Sequence, residues 1–272
     1  MARESDLRSA LRVKPATRVD LAERDPDNFH GWSKEDARVA TKERLDRLAE
    51  LHDQLWAEGR QAVLVVLQGI DASGKDGAIK RVMSAFNPQG TNVSSFKVPT
   101  PEEAAHDFLW RVHERVPAKG EIGVFNRSHY EEVLIVRVHE LVPRAVWSGR
   151  YELIRDFEKM LTATGTTIVK FFLHIDRDEQ RRRLQERYDN PRKHWKFSMG
   201  DLAERKLWDK YMAAYEDALS KTSTADSPWY VIPANKNWFR DLAIAIIVAD
   251  TIEELKPSYP APEDLPSDLV IE

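Results

Sequence analysis

The chain of 272 residues carries 41 lysines and arginines against 45 aspartates and glutamates, a formal net charge of −4, which argues against the broad basic surface of a nucleic-acid coat protein. It has no cysteine, so disulfides, thiolate metal sites and cysteine nucleophiles are excluded. No apolar run approaches the roughly 20 residues that span a bilayer, and the N-terminal stretch MARESDLRSALRVKPATRVD lacks an apolar signal core, so the expectation is a cytoplasmic protein with no membrane and no nucleic-acid partner.

Ser33, with Asp36 three residues on, reads as a helix N-terminus, and Val39, Leu45, Leu48, Leu51 and Leu55 then recur at helical spacing. This predicts an N-terminal arm and helix over 1–60, packed on a core of 61–256. QAVLVVLQ, residues 61–68, is a Val-rich apolar run that fits a strand buried on both faces of a parallel sheet. GIDASGKDG follows at once, and KDGAIKRVMSAF predicts a helix ending near Asn87-Pro88. NVSSFKV predicts a second strand, and PEEAAHDFLWRVHERV one helix that starts at Pro101 and stops before Pro117. EIGVFNR, TTIVKFFLHI and WYVIPA supply three more strands, separated by helical stretches such as GRYELIRDFEKMLTATG and NWFRDLAIAIIVADTIEEL. Strands alternating with helices give an α/β fold with a parallel sheet. The tail over 257–272, with four prolines and several acids, predicts an extended arm on the surface or on a neighbour.

The loop places Gly69, Gly74 and Lys75 at the spacing of a Walker A motif, between a predicted strand and a predicted helix. Backbone N–H groups from Gly69, Ala72, Ser73, Gly74 and Gly77 can cradle phosphate oxygens there, and Lys75 adds a positive charge. One residue is unusual: Asp76 stands where Ser or Thr usually puts a hydroxyl on Mg²⁺. A carboxylate in the first turn of a helix favours its dipole, so Asp76 suits that role and a metal role equally. Asp71 lies inside the loop, where an anion beside phosphates needs a cation between them, and Mg²⁺ meets that need.

GVFNRSHYEEVLIVRV begins where the third strand ends, on the sheet edge that also carries the loop. Asn126 occupies the position of a Walker B acid, so Glu131 or Glu132 is expected to supply the carboxylate, beside Arg127. Lys80 and Arg137 join the expected phosphate and nucleotide contacts. Over 181–196 seven cations face only Glu186 and Asp189, and Asn190-Pro191 breaks the helix. Arg187, Arg192, Lys193, Trp195 and Lys196 therefore predict a basic lid, about 181–205, that closes on phosphates and excludes water. His106, His113, His139 and His174 show no metal spacing and are expected to be structural.

GIDASGKDG, VFNRSHYEEVL and DNPRKHWKFS, in this order, resemble the polyphosphate kinase 2 family. The resemblance runs from about Arg12 to the last helix. It implies a P-loop kinase-like, three-layer α/β/α sandwich with a helical lid, similar to thymidylate kinase, in a homo-oligomer, dimer or tetramer. It further implies transfer of phosphoryl groups between inorganic polyphosphate and AMP, ADP or ATP. Asp71 and Glu132 would hold Mg²⁺, with Mn²⁺ able to substitute. Lys75 and Arg127 would hold the transferring phosphate, and Arg187, Arg192, Lys193 and Lys196 the rest of the chain. Members that favour diphosphates read FDRSWYNRA; this chain reads FNRSHYEEV, similar to the subgroup that uses both monophosphates and diphosphates. Glu131 replaces the Asn of the diphosphate type, and Glu132 the Asp of many relatives. Two other readings share these features, a nucleoside monophosphate kinase with ATP as donor and a non-catalytic polyphosphate-binding P-loop protein.

Overall fold

The computed structural model describes residues 2–262, so most of the tail predicted over 257–272 lies outside the described residues. Five parallel strands form one sheet in the order β2-β3-β1-β4-β5. They are β1 (Ala62–Gln68), β2 (Thr91–Ser95), β3 (Ile122–Asn126), β4 (Thr166–His174) and β5 (Trp229–Pro233). β1, β3, β4 and β5 fall within predicted strands, and β2 begins one residue before the strand predicted from Asn92 and ends at Ser95. β1 is central and wholly buried, which is why its sequence is unbroken apolar, whereas β2 is an edge strand with polar, exposed positions.

The helices, in chain order, are α1 (Ala2–Leu11), α2 (Lys34–Glu58), α3 (Lys75–Arg81), α4 (Pro101–Ala105), α5 (Trp110–His113) and α6 (Ile135–Val138). They continue with α7 (Arg144–Ala163), α8 (Arg177–Asp189), α9 (Met199–Arg205), α10 (Trp208–Thr222) and α11 (Asn237–Glu254). α11 packs with α1, α2 and α3 on one side of the sheet, and α7 packs with α6 and α10 on the other, which makes the three layers of a P-loop kinase-like α/β fold. Among the described residues no helix is long and apolar enough to cross a membrane.

Three differences from the predicted elements have local causes. Among its described side chains α1 buries two apolar residues, Leu7 and Leu11, in a polar stretch, too few for a visible period. The helix expected over 101–116 is interrupted between α4 and α5, where the Asp107 carboxylate accepts the Leu109 N–H at 2.9 Å in a local turn. The stretch after the third strand opens as a 3₁₀ segment, His129–Val133, with Ser128 capping it through the Tyr130 N–H.

A buried polar cluster fixes that segment. Lys170 on β4, 0% exposed, donates to Glu158 on α7 at 2.5 Å, to the Tyr130 hydroxyl at 2.9 Å and to the Thr222 carbonyl at 2.9 Å. Tyr130 donates in turn to Glu158 at 2.7 Å, and His129 lies 3.2 Å from the same carboxylate. Burial alone would raise the Glu158 carboxyl, but Lys170 and His129 outweigh it and hold it down to about 2. An ion pair buried this way keeps its place only because its partners are complete. The 3₁₀ segment between strand and α6 is thereby tied to three elements at once.

Candidate active site

The C-terminal ends of the parallel strands form one edge of the sheet, and β1 is the strand where successive crossovers leave in opposite directions. The glycine loop leaves β1 at this edge and leads into α3, while Arg127 leaves β3 beside it, its N–H bonded to the Leu67 carbonyl at 3.1 Å. Ala72 and Arg127 both hold positive φ, +65° and +63°, a backbone cost that is tolerated where the surroundings impose it. A cavity of about 780 Å³ opens above this edge, bounded below by the loop and above by the lid.

Lys75 is 8% exposed, and its ammonium donates to the Gly69 carbonyl at 2.5 Å and the Ile70 carbonyl at 3.4 Å. Burial lowers its pKa, against the pull of Asp71 and Glu131. Arg127 donates to Asp71 at 2.9 Å. Its charge is reinforced by Glu131 and Asp71 despite burial. Glu131 sits among these groups: burial raises its carboxyl, opposed by Arg127, Lys75 and the Gln68 amide. Asp71, Lys75, Arg127 and Glu131 thus form one charge cluster.

Asp76 accepts from Asn126 at 3.0 Å and from the lid's Lys196 at 3.2 Å. Burial pushes its carboxyl up, but these two donors hold it below its ordinary value. The residue in the place of the usual hydroxyl is thus the point at which the loop meets the lid. The lid is α8, a 3₁₀ turn over Pro191–Lys196, and α9, with its break at Asn190-Pro191 as predicted. Arg187 pairs with Asp201 at 3.3 Å, Lys193 with Glu186, and the Arg192 guanidinium has no hydrogen-bond or ion-pair partner among the described residues. Trp195 is 78% exposed at the rim, with the Lys196 ammonium 4.8 Å from its ring centre.

Of the expected residues, Gly69, Ser73 and Glu131 belong to the loop and its charge cluster without lining the cavity, and Glu132, Arg137 and Lys80 lie away from it. Glu132 turns the other way along the 3₁₀ segment and pairs with Arg150 on α7, with Arg111 3.9 Å off, so its carboxylate is already engaged and it does not face Asp71 as a metal ligand. Successive residues of a 3₁₀ turn point about a third of a turn apart, so only one of two adjacent acids can face the loop, and that one is Glu131. Arg137 donates to Asp217 at 2.7 Å and to Tyr151 at 3.1 Å, in a separate hollow beside Trp147. Lys80 lies exposed on α3 and does not line the cavity. His129, which carries no expected role, is part of the buried cluster.

Other residues at the site carried no local sequence signal. Arg183 donates to the Ala72 and Ser73 carbonyls, both at 2.9 Å, and to the Ala234 and Asn235 carbonyls at 2.5 and 3.1 Å, which clamps the loop to the end of β5. Gln180 holds the Asp71 carbonyl at 3.0 Å. Lys97, Asn237 and Arg240 line the walls. Arg183 could have been noticed as one of seven cations in the basic run; Arg240 sits in a helix whose pattern reads as core.

The matched family model, Polyphosphate kinase 2, covers residues 31–260. The chain belongs to the polyphosphate kinase 2 family. It is 55% identical, over 96% of its length and 98% of the relative's, to an AMP/ADP-polyphosphate phosphotransferase of Meiothermus ruber. It is 49% identical to an ADP-polyphosphate phosphotransferase of Rhodopseudomonas palustris, over 92% and 91% of the two chains. Its structure is similar to that of polyphosphate kinase 2 from Arthrobacter aurescens, with a TM-score of 0.91 at 45% identity, covering 94% and 92% of the two chains. Membership in this family and the parallel-sheet architecture agree with the resemblance drawn from the three motifs.

A divalent cation fits the residues present. The acids at the loop, Asp71 and Glu131, offer hard oxygen donors, and the buried Gln68 carbonyl oxygen has no hydrogen-bond partner among the described residues. No cluster of three or more His, Cys, Asp or Glu side chains occurs among them, so substrate phosphates and water would complete the shell, as Mg²⁺ prefers.

Proposed function

We propose that the protein transfers the terminal phosphoryl group of inorganic polyphosphate to AMP, giving ADP, and to ADP, giving ATP, in the cytoplasm. The observation that carries this is the cavity itself: a phosphate loop below and a lid of cations above, with Asp71 lining it and Glu131 in the charge cluster beside Lys75 and Arg127. Membership in the polyphosphate kinase 2 family and the two relatives' activities point to the same donor and to these acceptors.

Phosphoryl transfer asks the protein mainly for position and charge. Lys75 and Arg127 would stabilise the negative charge on the moving group and hold donor and acceptor in line. The lid cations would bind the remaining donor phosphates, and Lys196 on Asp76 would register lid against floor. A closed lid excludes the water that otherwise takes the phosphoryl group. Mg²⁺, held by Asp71 and Glu131 together with substrate phosphates, would supply further charge neutralisation. Glu131 would also set the acceptor class, favouring AMP.

The decisive test mixes purified protein, Mg²⁺, long-chain polyphosphate and AMP, and follows ADP and ATP by chromatography. ATP formed from AMP only with polyphosphate present is the expected result. Conversion of ADP but not AMP would remove the monophosphate reading, and transfer only from ATP would make the protein a nucleoside monophosphate kinase.

A further inference from the structure

Two arginines pack against the glycine loop from the side of α11, and they differ in what their guanidinium groups do. Arg183 donates its Nε to Glu179 at 2.6 Å and its two terminal nitrogens to four backbone carbonyls, and is a structural clamp. Arg240, in the first turn of α11, makes no hydrogen bond to the loop at all. Its Nε and Nη2 donate to Asp241 at 2.9 and 2.6 Å, and its Nη1 donates to Asn237 at 2.8 Å. A guanidinium carries five N–H groups, so one remains on each terminal nitrogen.

That free edge is turned toward the loop. A Cβ at Gly74 would fall 2.2 Å from Nη1, and one at Gly77 would fall 3.1 Å from Nη2. Gly74 also holds φ at +107°, so glycine serves there both the turn and the approach of the guanidinium. Arg240 is 3% exposed and yet forms part of the cavity wall, together with the exposed Asn237. A buried arginine with one carboxylate on its inner edge and two N–H groups on its outer edge has the fork that a phosphate accepts bidentately.

The surroundings fit phosphate rather than a base. Apart from glycines, Ala72, Phe96 and Trp195 are the apolar residues that line this cavity, and none belongs to α11. A purine placed against Arg240 and Asn237 would find no apolar face to stack on.

We infer that Arg240, assisted by Asn237, is a phosphate-binding residue on the donor side of the cleft, and that it holds phosphates of the polyphosphate chain behind the one being transferred. The subsite rests on polyphosphate being the donor. Asp241 orients the guanidinium and balances its charge when the chain has left, with Arg240 in turn opposing the burial that raises the Asp241 carboxyl. The arrangement gives the donor a grip on the wall of the cleft that is independent of the lid.

The experiment is steady-state kinetics on the full chain with Arg240→Lys and Asn237→Asp, varying polyphosphate at saturating AMP and AMP at saturating polyphosphate. Asn237→Asp keeps the fold, because the residue is exposed and an acid in the first turn of a helix is favourable. It should raise KM for polyphosphate on the order of tenfold by repelling phosphate and engaging the arginine, with KM for AMP within about twofold. Arg240→Lys should do the same, since an ammonium cannot reproduce the fork. Unchanged polyphosphate KM in Asn237→Asp overturns the subsite even if Arg240→Lys fails to fold, and so does an equal rise in both KM values. A wild-type protein that ignores polyphosphate would instead sink the donor reading itself.

Discussion

The floor of the cleft is held by a buried polar cluster and by an arginine that bonds mainly backbone carbonyls, whereas the outer lid is held by ion pairs among its own side chains. Beneath the floor lie Arg183 on four carbonyls and the Lys170–Glu158–Tyr130 cluster under the 3₁₀ segment that carries Glu131. Beyond Arg183 and Gln180, which root α8 on the loop, the lid relies on Lys193 with Glu186 and Arg187 with Asp201, together with a bond from its tip to the loop, Lys196 to Asp76. Largely exposed pairs such as Lys193–Glu186 and Lys196–Asp76 are worth only about 0–1 kcal/mol each, so the tip of the lid can move at little cost. The floor supplies position, the lid supplies charge, and substitutions in the two regions should separate along that line.

The largest effect belongs to the floor. Lys75→Ala should lower kcat by at least about a hundredfold, the usual scale for losing a transition-state charge contact, while the unfolding midpoint stays close to wild type. Near-normal turnover would remove Lys75 from the transfer point. Next, Glu131→Asn should reduce AMP use relative to ADP use by about tenfold, read as the ratio of the two kcat/KM values; an equal loss with both acceptors would leave Glu131 as a metal ligand only. In the lid, Arg192→Ser with Lys193→Ser should raise KM for polyphosphate about tenfold and weaken its dependence on salt, with kcat little changed. A fall in kcat at unchanged KM would mean that the lid, too, acts in positioning.

The cluster at the floor also has a cost in stability. Burial raises the folded-state pKa of Glu131 above its unfolded value, so the folded chain holds that proton more tightly. Stability from this group therefore falls as pH rises from about 4.3, the unfolded value, through the folded one. Glu131→Gln should accordingly raise Tm at pH 8, and the gain should close below about pH 4. The smallest effect is expected at Ser73. Its hydroxyl is buried without a partner among the described residues, so Ser73→Ala should leave activity unchanged and stability unchanged or slightly higher. A large loss of activity would show that this hydroxyl replaces the missing one after Lys75.

Much of the fold was legible because β1, β3, β4 and β5 are strands buried on both faces, which makes predominantly apolar runs, broken in β4 by the buried Lys170. The loop was legible because Gly69 and Gly74 take positive φ where glycine costs least and a lysine at that spacing has a phosphate to serve. Less legible was the choice between Glu131 and Glu132, two identical side chains in adjacent positions. The Tyr130 anchor and Arg150 make that choice, one from the core and one from α7. Arg137 was misplaced for a similar reason: a cation near a phosphate motif in the chain is drawn to Asp217, 80 residues further on.

The sequence by itself determined the order of strands and helices, the position of the phosphate loop and the basic break in the lid, because each depends on residues close in the chain: apolar runs, glycine and proline geometry, local charge. Only the tertiary structure decided which acid faces the loop, why Asp76 stands in place of a hydroxyl, and that Arg240 reaches the cavity. Those outcomes rest on partners brought together across the sheet edge from α3, α8, α11 and the lid, whose separations in the chain leave no local pattern to read.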